Sequence, residues 1–105
     1  MKYWDVTFLP EAKRDREALE TSVRYQVDKA IRKVSQNPLP KSEGGYGSPL
    51  GNKQGRNLTG LLKIKLKKLG VRVVYDLVRD KEGMRIVIIA ARADSEVYKI
   101  AESRL

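Results

Sequence analysis

From Ile86 to Ala91 the chain is apolar at every position. A run this short and this rich in β-branched residues reads as a strand buried on both faces, so it belongs in the middle of a sheet. Two further strand-like runs precede it, Leu61 to Lys67 and Val71 to Val78, and the third strand opens at Met84. The separators Lys67-Lys68-Leu69-Gly70 and Asp80-Lys81-Glu82-Gly83 are short and turn-like. Three strands joined this way form an antiparallel meander.

The elements before the meander are helical. Lys2 to Phe8 alternates and reads as one short strand. Leu9-Pro10-Glu11 then starts a helix to about Leu19, with proline at a first helical position and an acid in the first turn. Thr21 or Ser22 is placed to cap a second helix, in which Val23, Val27, Ala30, Ile31 and Val34 make one apolar stripe. Asn37-Pro38-Leu39-Pro40 ends it. Residues 38–60 are rich in Gly, Pro, Ser and Asn and read as a long connection, a feature that in compact domains is functional or mobile. Ser95 is placed to cap a short last helix through about Ser103. The expected fold is α+β within one domain of 105 residues: an N-terminal strand, a helical hairpin, a three-stranded antiparallel meander and a short C-terminal helix.

Charge narrows the function. Lys and Arg number 22 against 13 acids, a formal net charge of +9. No acid occurs from Gly44 to Tyr75, whereas Lys53, Arg56, Lys63, Lys65, Lys67, Lys68 and Arg72 all fall there. Cations without counter-charges repel one another, and a polyanion relieves that repulsion. Nucleic acid is the expected partner, against the plainer reading of a solvated basic face. With no histidine and no cysteine, the usual acid–base side chain and the usual zinc ligands are missing. The carboxylates show no paired spacing, so no metal and no cofactor is expected, and Lys, Arg and Tyr must carry any chemistry. No apolar run is long enough to span a bilayer, the first residues lack a secretory layout, and the expected location is cytoplasmic.

Strand parity supplies a candidate constellation. In Leu62-Lys63-Ile64-Lys65-Leu66-Lys67, the leucines and isoleucine face inward and Lys63, Lys65 and Lys67 face outward. Val71, Val73, Tyr75 and Leu77 share one face of the next strand, with Arg72 and Val74 on the other. A turn of two or four residues sets Lys65 opposite Arg72, about 5 Å apart at Cβ. Opposed like charges stabilise nothing, so this is either an edge-protecting solvated face or a binding site. The expectation is that Lys63, Lys65, Arg72 and Arg92 form one basic cluster on the solvent face of the sheet, with Tyr98 at its edge.

Leu62-Lys63-Ile64-Lys65-Leu66, Gly70-Val71-Arg72-Val73-Val74-Tyr75, then Arg92 and Ser95-Glu96-Val97-Tyr98 resemble the RelE-type mRNA-cleaving toxins of the RelE/ParE superfamily. The element order agrees over nearly the whole chain. The resemblance implies the toxin of a toxin–antitoxin pair, an endoribonuclease that cuts mRNA in the ribosomal A site and so inhibits translation. Its partners would be a cognate antitoxin, the ribosome and mRNA. The RNA's 2′-hydroxyl would attack the adjacent phosphate, leaving a cyclic phosphate and a free 5′-hydroxyl. By position, Lys63, Lys65, Arg72, Arg92 and Tyr98 match the family's functional residues. Lys65 or Lys63 is similar to the proton acceptor. Arg72 and Arg92 resemble phosphate ligands, with Arg92 near the leaving oxygen, and Tyr98 resembles the aromatic that stacks on an mRNA base. Lys53, Arg56, Lys67 and Lys68 extend the expected RNA-binding surface.

Leu62 and Asp94 depart from the pattern, where an aromatic and a second basic residue are common. Two other readings stand beside cleavage. One is a ParE-like toxin of the same fold that binds and inhibits DNA gyrase without nuclease chemistry. The other is a noncatalytic RNA-binding module, which has no need of Arg92 and Tyr98.

Overall fold

A computed structural model describes residues 3–53, 56–91 and 94–105, giving only the backbone for 51–53, 56, 57, 94 and 95. In chain order it contains β1 (Asp5–Phe8), α1 (Pro10–Glu17), α2 (Thr21–Val34), β2 (Ser48–Lys53), β3 (Arg56–Leu66), β4 (Val71–Val78), β5 (Gly83–Ala90) and α3 (Asp94–Ser103). Short 3-10 turns lie at Lys41–Glu43 and Arg79–Lys81. The strands form one sheet in the order β1-β5-β4-β3-β2. β1 runs parallel to β5, and the other neighbours are antiparallel. Sequence periodicity thus places the helical hairpin, the meander and the last helix correctly.

Leu9 is extended and Pro10 opens α1, followed by Glu11 in the first turn, as the sequence dictates. The cap of α2 differs from expectation: Glu20 is the capping residue, makes no side-chain cap bond, and Thr21 is already helical. The helix is held instead by its stripe. Val27, Ile31 and Val34 are buried, each contributing about 1.5–3 kcal/mol relative to exposure. Likewise α3 begins at Asp94, one residue before the serine expected to cap it.

The main correction concerns 38–60, which holds a 3-10 turn, all of β2 and the start of β3. The strand signal is hidden because β2 reads Ser-Pro-Leu-Gly-Asn-Lys. It lies at the sheet edge, where one flank needs no ladder and Pro49 and Gly51 are tolerated. The preceding turn is fastened from beneath: the Tyr75 hydroxyl donates to the Pro38 carbonyl at 2.9 Å. Burial pushes that phenol well above its ordinary pKa. Gly47 lies so close that a Cβ there would meet Tyr75 Oη at 2.5 Å and Leu62 Cδ2 at 2.8 Å.

Both faces of the sheet are covered. Under α1 and α2, Ala12, Val27, Ile31 and Val34 meet Leu62, Val71, Val73, Tyr75, Met84, Ile86 and Ile89. On the opposite face, α3 brings Val97, Tyr98 and Ala101 onto Leu50, Leu58, Leu61, Val74, Val87 and Ile88. The face expected to be solvent is therefore partly roofed by the last helix. Among the described residues no helix is long and apolar enough to cross a membrane.

Candidate active site

The turn from β3 to β4 is the four residues from Lys67 to Gly70, closed by Leu69 N–H to Leu66 O at 3.2 Å and Gly70 N–H to Lys67 O at 3.3 Å. Gly70 takes φ +67°, a conformation that a side chain would strain. An even-length turn preserves strand parity, and Lys65 stands opposite Arg72 with Lys63 opposite Val74. Across β4, Arg72 faces Ala90 and Val74 faces Ile88. The rows Lys65–Arg72–Ala90 and Lys63–Val74–Ile88 thus lie side by side on the α3 face.

Tyr98 reaches this face from α3. Its hydroxyl is 3.1 Å from Lys63 Nζ, with Nζ 5.8 Å from the ring centroid. The ring does not stand at the cluster's edge: the residue is only 3% exposed, packed in the second core. No ring face is open to stack on a base in this conformation, and what Tyr98 presents to the cluster is its hydroxyl. A phenol accepts from an ammonium and donates to a neutral amine, so the contact serves lysine in either protonation state. Asp76 shares the face, but its carboxylate is taken up by Arg85 at 2.9 and 2.5 Å. That bond raises the Arg85 guanidinium above its ordinary pKa.

Lys65 is exposed at the open end of the cluster, with Lys67 and Lys68 exposed in the turn beside it. Arg72 is half-buried and folds back, Nη1 3.4 Å from the Gly70 carbonyl. Lys53 and Arg56 pair with each other across the β2–β3 end, at the opposite end of β3 from Lys65. The structure does not bring their backbone to the cluster. Arg92 lies outside the described residues. Sequence reading missed the apolar wall of Leu50, Leu58 and Leu61 behind Tyr98, because two of the three fall in the segment that reads as a connection.

No protein-family model matches the sequence. A putative RelE-like toxin protein of Escherichia coli is 26% identical over 106 residues, covering 100% of this chain and 99% of that protein. The mRNA interferase toxin RelE of Escherichia coli strain K12 is 29% identical over 87 residues, 83% of this chain and 81% of that protein. Among solved structures, the isolated E. coli RelE toxin superposes with a TM-score of 0.70 at 25% identity, covering 96% of this chain and 97% of that one. A RelE mutant in complex with the antitoxin RelBc peptide gives 0.71 at 25% identity, over 95% of each chain. In sequence across its length and in fold, this chain is similar to the RelE-type toxins that its strand and helix motifs resemble.

Proposed function

We propose that this protein is the toxin of a toxin–antitoxin pair, a cytoplasmic endoribonuclease that cleaves mRNA in the ribosomal A site. The observation that carries the reading is convergence: Lys63 with Tyr98 and Lys65 with Arg72 occupy adjacent rows of one sheet face although they come from β3, β4 and α3. A solvated edge-protecting face has no need of a tyrosine hydroxyl delivered from a separate helix.

In this reading the 2′-hydroxyl loses its proton to a lysine amine, Lys65 at the exposed end or Lys63 under Tyr98. The oxygen attacks the adjacent phosphorus and the bond to the 5′-oxygen breaks. Products are a 2′,3′-cyclic phosphate and a 5′-oxygen that takes up a proton to become the 5′-hydroxyl. Arg72 offers a planar fork to the phosphate oxygens, and Arg92 is assigned the leaving-oxygen side on the family resemblance. A lysine ammonium is a poor base at neutrality. Stabilisation of the charged phosphate is therefore the larger contribution. Alignment of the RNA by the ribosome supplies the orientation that these few groups cannot, worth several kcal/mol. The chemistry is assigned to these side chains without metal or cofactor. Lys67 and Lys68 extend the phosphate-binding surface, and a cognate antitoxin with an acidic or amphipathic segment would cover it.

The test is primer extension on translating ribosomes with and without the protein, paired with naked RNA in the presence of a chelator. Codon-spaced cuts on ribosomes and none on naked RNA are expected. Rapid metal-dependent cutting of naked RNA would overturn the reading.

A further inference from the structure

β1 accompanies β5 only as far as Phe8 opposite Ile86, and Leu9 N–H adds one bond to the Ile86 carbonyl at 3.0 Å. From there to Ala90 that flank of β5 has no strand neighbour among the described residues. On its other flank the register shifts, Val74 pairing with Ile88 and Tyr75 with Ile86, which leaves Val87 as a bulge. Backbone groups at such a place need partners, because an unpaired buried N–H or C=O is costly.

Two side chains supply them. Asp15 Oδ2, from α1, accepts the Ile89 N–H at 3.1 Å. Arg104 Nη1, just past α3, donates to the Val87 carbonyl at 2.9 Å. The two also bind each other, Nη1 to Oδ2 at 2.6 Å and Nη2 to Oδ1 at 3.3 Å. The side chains are 16% (Arg104) and 21% (Asp15) exposed. Two helices and the bulged strand are thereby joined at one point.

We propose that Asp15 and Arg104 are positioning residues, a latch that holds α3 on the sheet and so keeps the Tyr98 hydroxyl on Lys63. The proposal rests on the nuclease reading of the Lys63 cluster. α3 has 10 residues, too few to persist without tertiary support. Val97, Ala101 and Arg104 follow helical spacing, so the latch prolongs the buried stripe by nearly one turn. Apolar packing at Val97 and Ala101 is non-directional and tolerates small rotations. The guanidinium fork does not, since its donors are fixed in one plane. A slip of one residue turns a helix by about 100°, which would carry the hydroxyl away from Lys63.

The latch has a polarity. Asp15 faces an N–H and Arg104 faces a carbonyl, so exchanging the two charges restores the ion pair but opposes both backbone groups. D15R/R104D is therefore expected not to rescue, whereas Arg104→Lys, which keeps the charge and loses the fork, should recover part of the function.

The experiment measures hydrogen exchange and single-turnover cleavage on programmed ribosomes with the full chain. Arg104→Gln and Asp15→Asn should each lower amide protection across Val97 to Ala101 at least about tenfold, with β3 and β4 unchanged. The maximal single-turnover rate should fall while the half-saturating protein concentration stays close to wild type. In a Tyr98→Phe background, Arg104→Gln should cost nothing further, because the hydroxyl through which it acts is gone. Unchanged protection in α3, or a loss that simply multiplies with Tyr98→Phe, overturns the latch. A wild-type chain inert on ribosomes would instead sink the nuclease reading and the catalytic consequence with it, while the exchange data would still decide whether the pair holds α3.

Discussion

Lys63 Nζ and Tyr98 Oη lie 3.1 Å apart although 35 residues separate them in the chain. The ring behind that hydroxyl is buried, so its packing and its chemistry can be separated by mutation. Tyr98→Phe keeps the ring and deletes the hydrogen bond. It should leave the melting temperature nearly unchanged and slow cleavage about ten- to hundredfold, the worth of one charge-assisted bond. Tyr98→Ala empties part of the second core and should destabilise by about 3–5 kcal/mol. Thermal denaturation beside single-turnover cleavage distinguishes the two, and equal activity of Tyr98→Phe and wild type would remove the hydroxyl from the mechanism.

Lys65 opposite Arg72 is a like-charge pair held by register. Lys65→Met should therefore be neutral or stabilising by up to about 0.5 kcal/mol, while RNA binding weakens. The salt dependence should flatten too, since each phosphate that is no longer neutralised takes about 0.7 off the logarithmic slope on single strands. Urea denaturation and RNA affinity at several salt concentrations check both signs. Marked destabilisation would mean that Lys65 serves the fold.

The Tyr75 hydroxyl, bonded to the Pro38 carbonyl, is the fastening under the turn that leads into β2. Tyr75→Phe leaves that carbonyl short of a partner and should cost about 1–3 kcal/mol. Gly47→Ala should be at least as costly, because its Cβ would collide with the same hydroxyl. Combining the two removes the nearest clash, so the double variant should be more stable than the sum of the single losses. Strict additivity in chemical denaturation would contradict the geometry.

Glu43 and Arg79 bridge the same turn to the end of β4 through two hydrogen bonds of 2.8 Å. The Arg79 hydrogen bond holds the Glu43 carboxyl below its ordinary pKa. A depressed folded value contributes stability that is complete above the unfolded glutamate pKa and is lost as pH falls through the folded one. The bridge should therefore persist at neutrality and release only on acidification below the usual glutamate range. An NMR titration of the Glu43 carboxyl checks this: Arg79→Gln should move its midpoint upward, and an unmoved midpoint would rule the bridge out.

Much of the site is legible in the sequence, because strand parity is a local property. Alternation put Lys63 and Lys65 on one face of β3, and an even-length turn put Arg72 beside Lys65. Helical spacing likewise predicted the buried stripe of Val27, Ile31 and Val34. These patterns repeat within a few residues, and the backbone geometry of strand and helix converts them directly into faces.

What the tertiary structure alone decided depends on which distant segment returns to which surface. The strand β2 has no alternation of its own and exists as a strand because β3 offers it a ladder. Tyr98 is buried and not displayed, since α3 lands on Leu50, Leu58 and Leu61. Asp15 meets Arg104 across 89 residues of sequence. Neither residue carries a local signal, because an ion pair of this kind is specified by the open flank of β5 that both must satisfy.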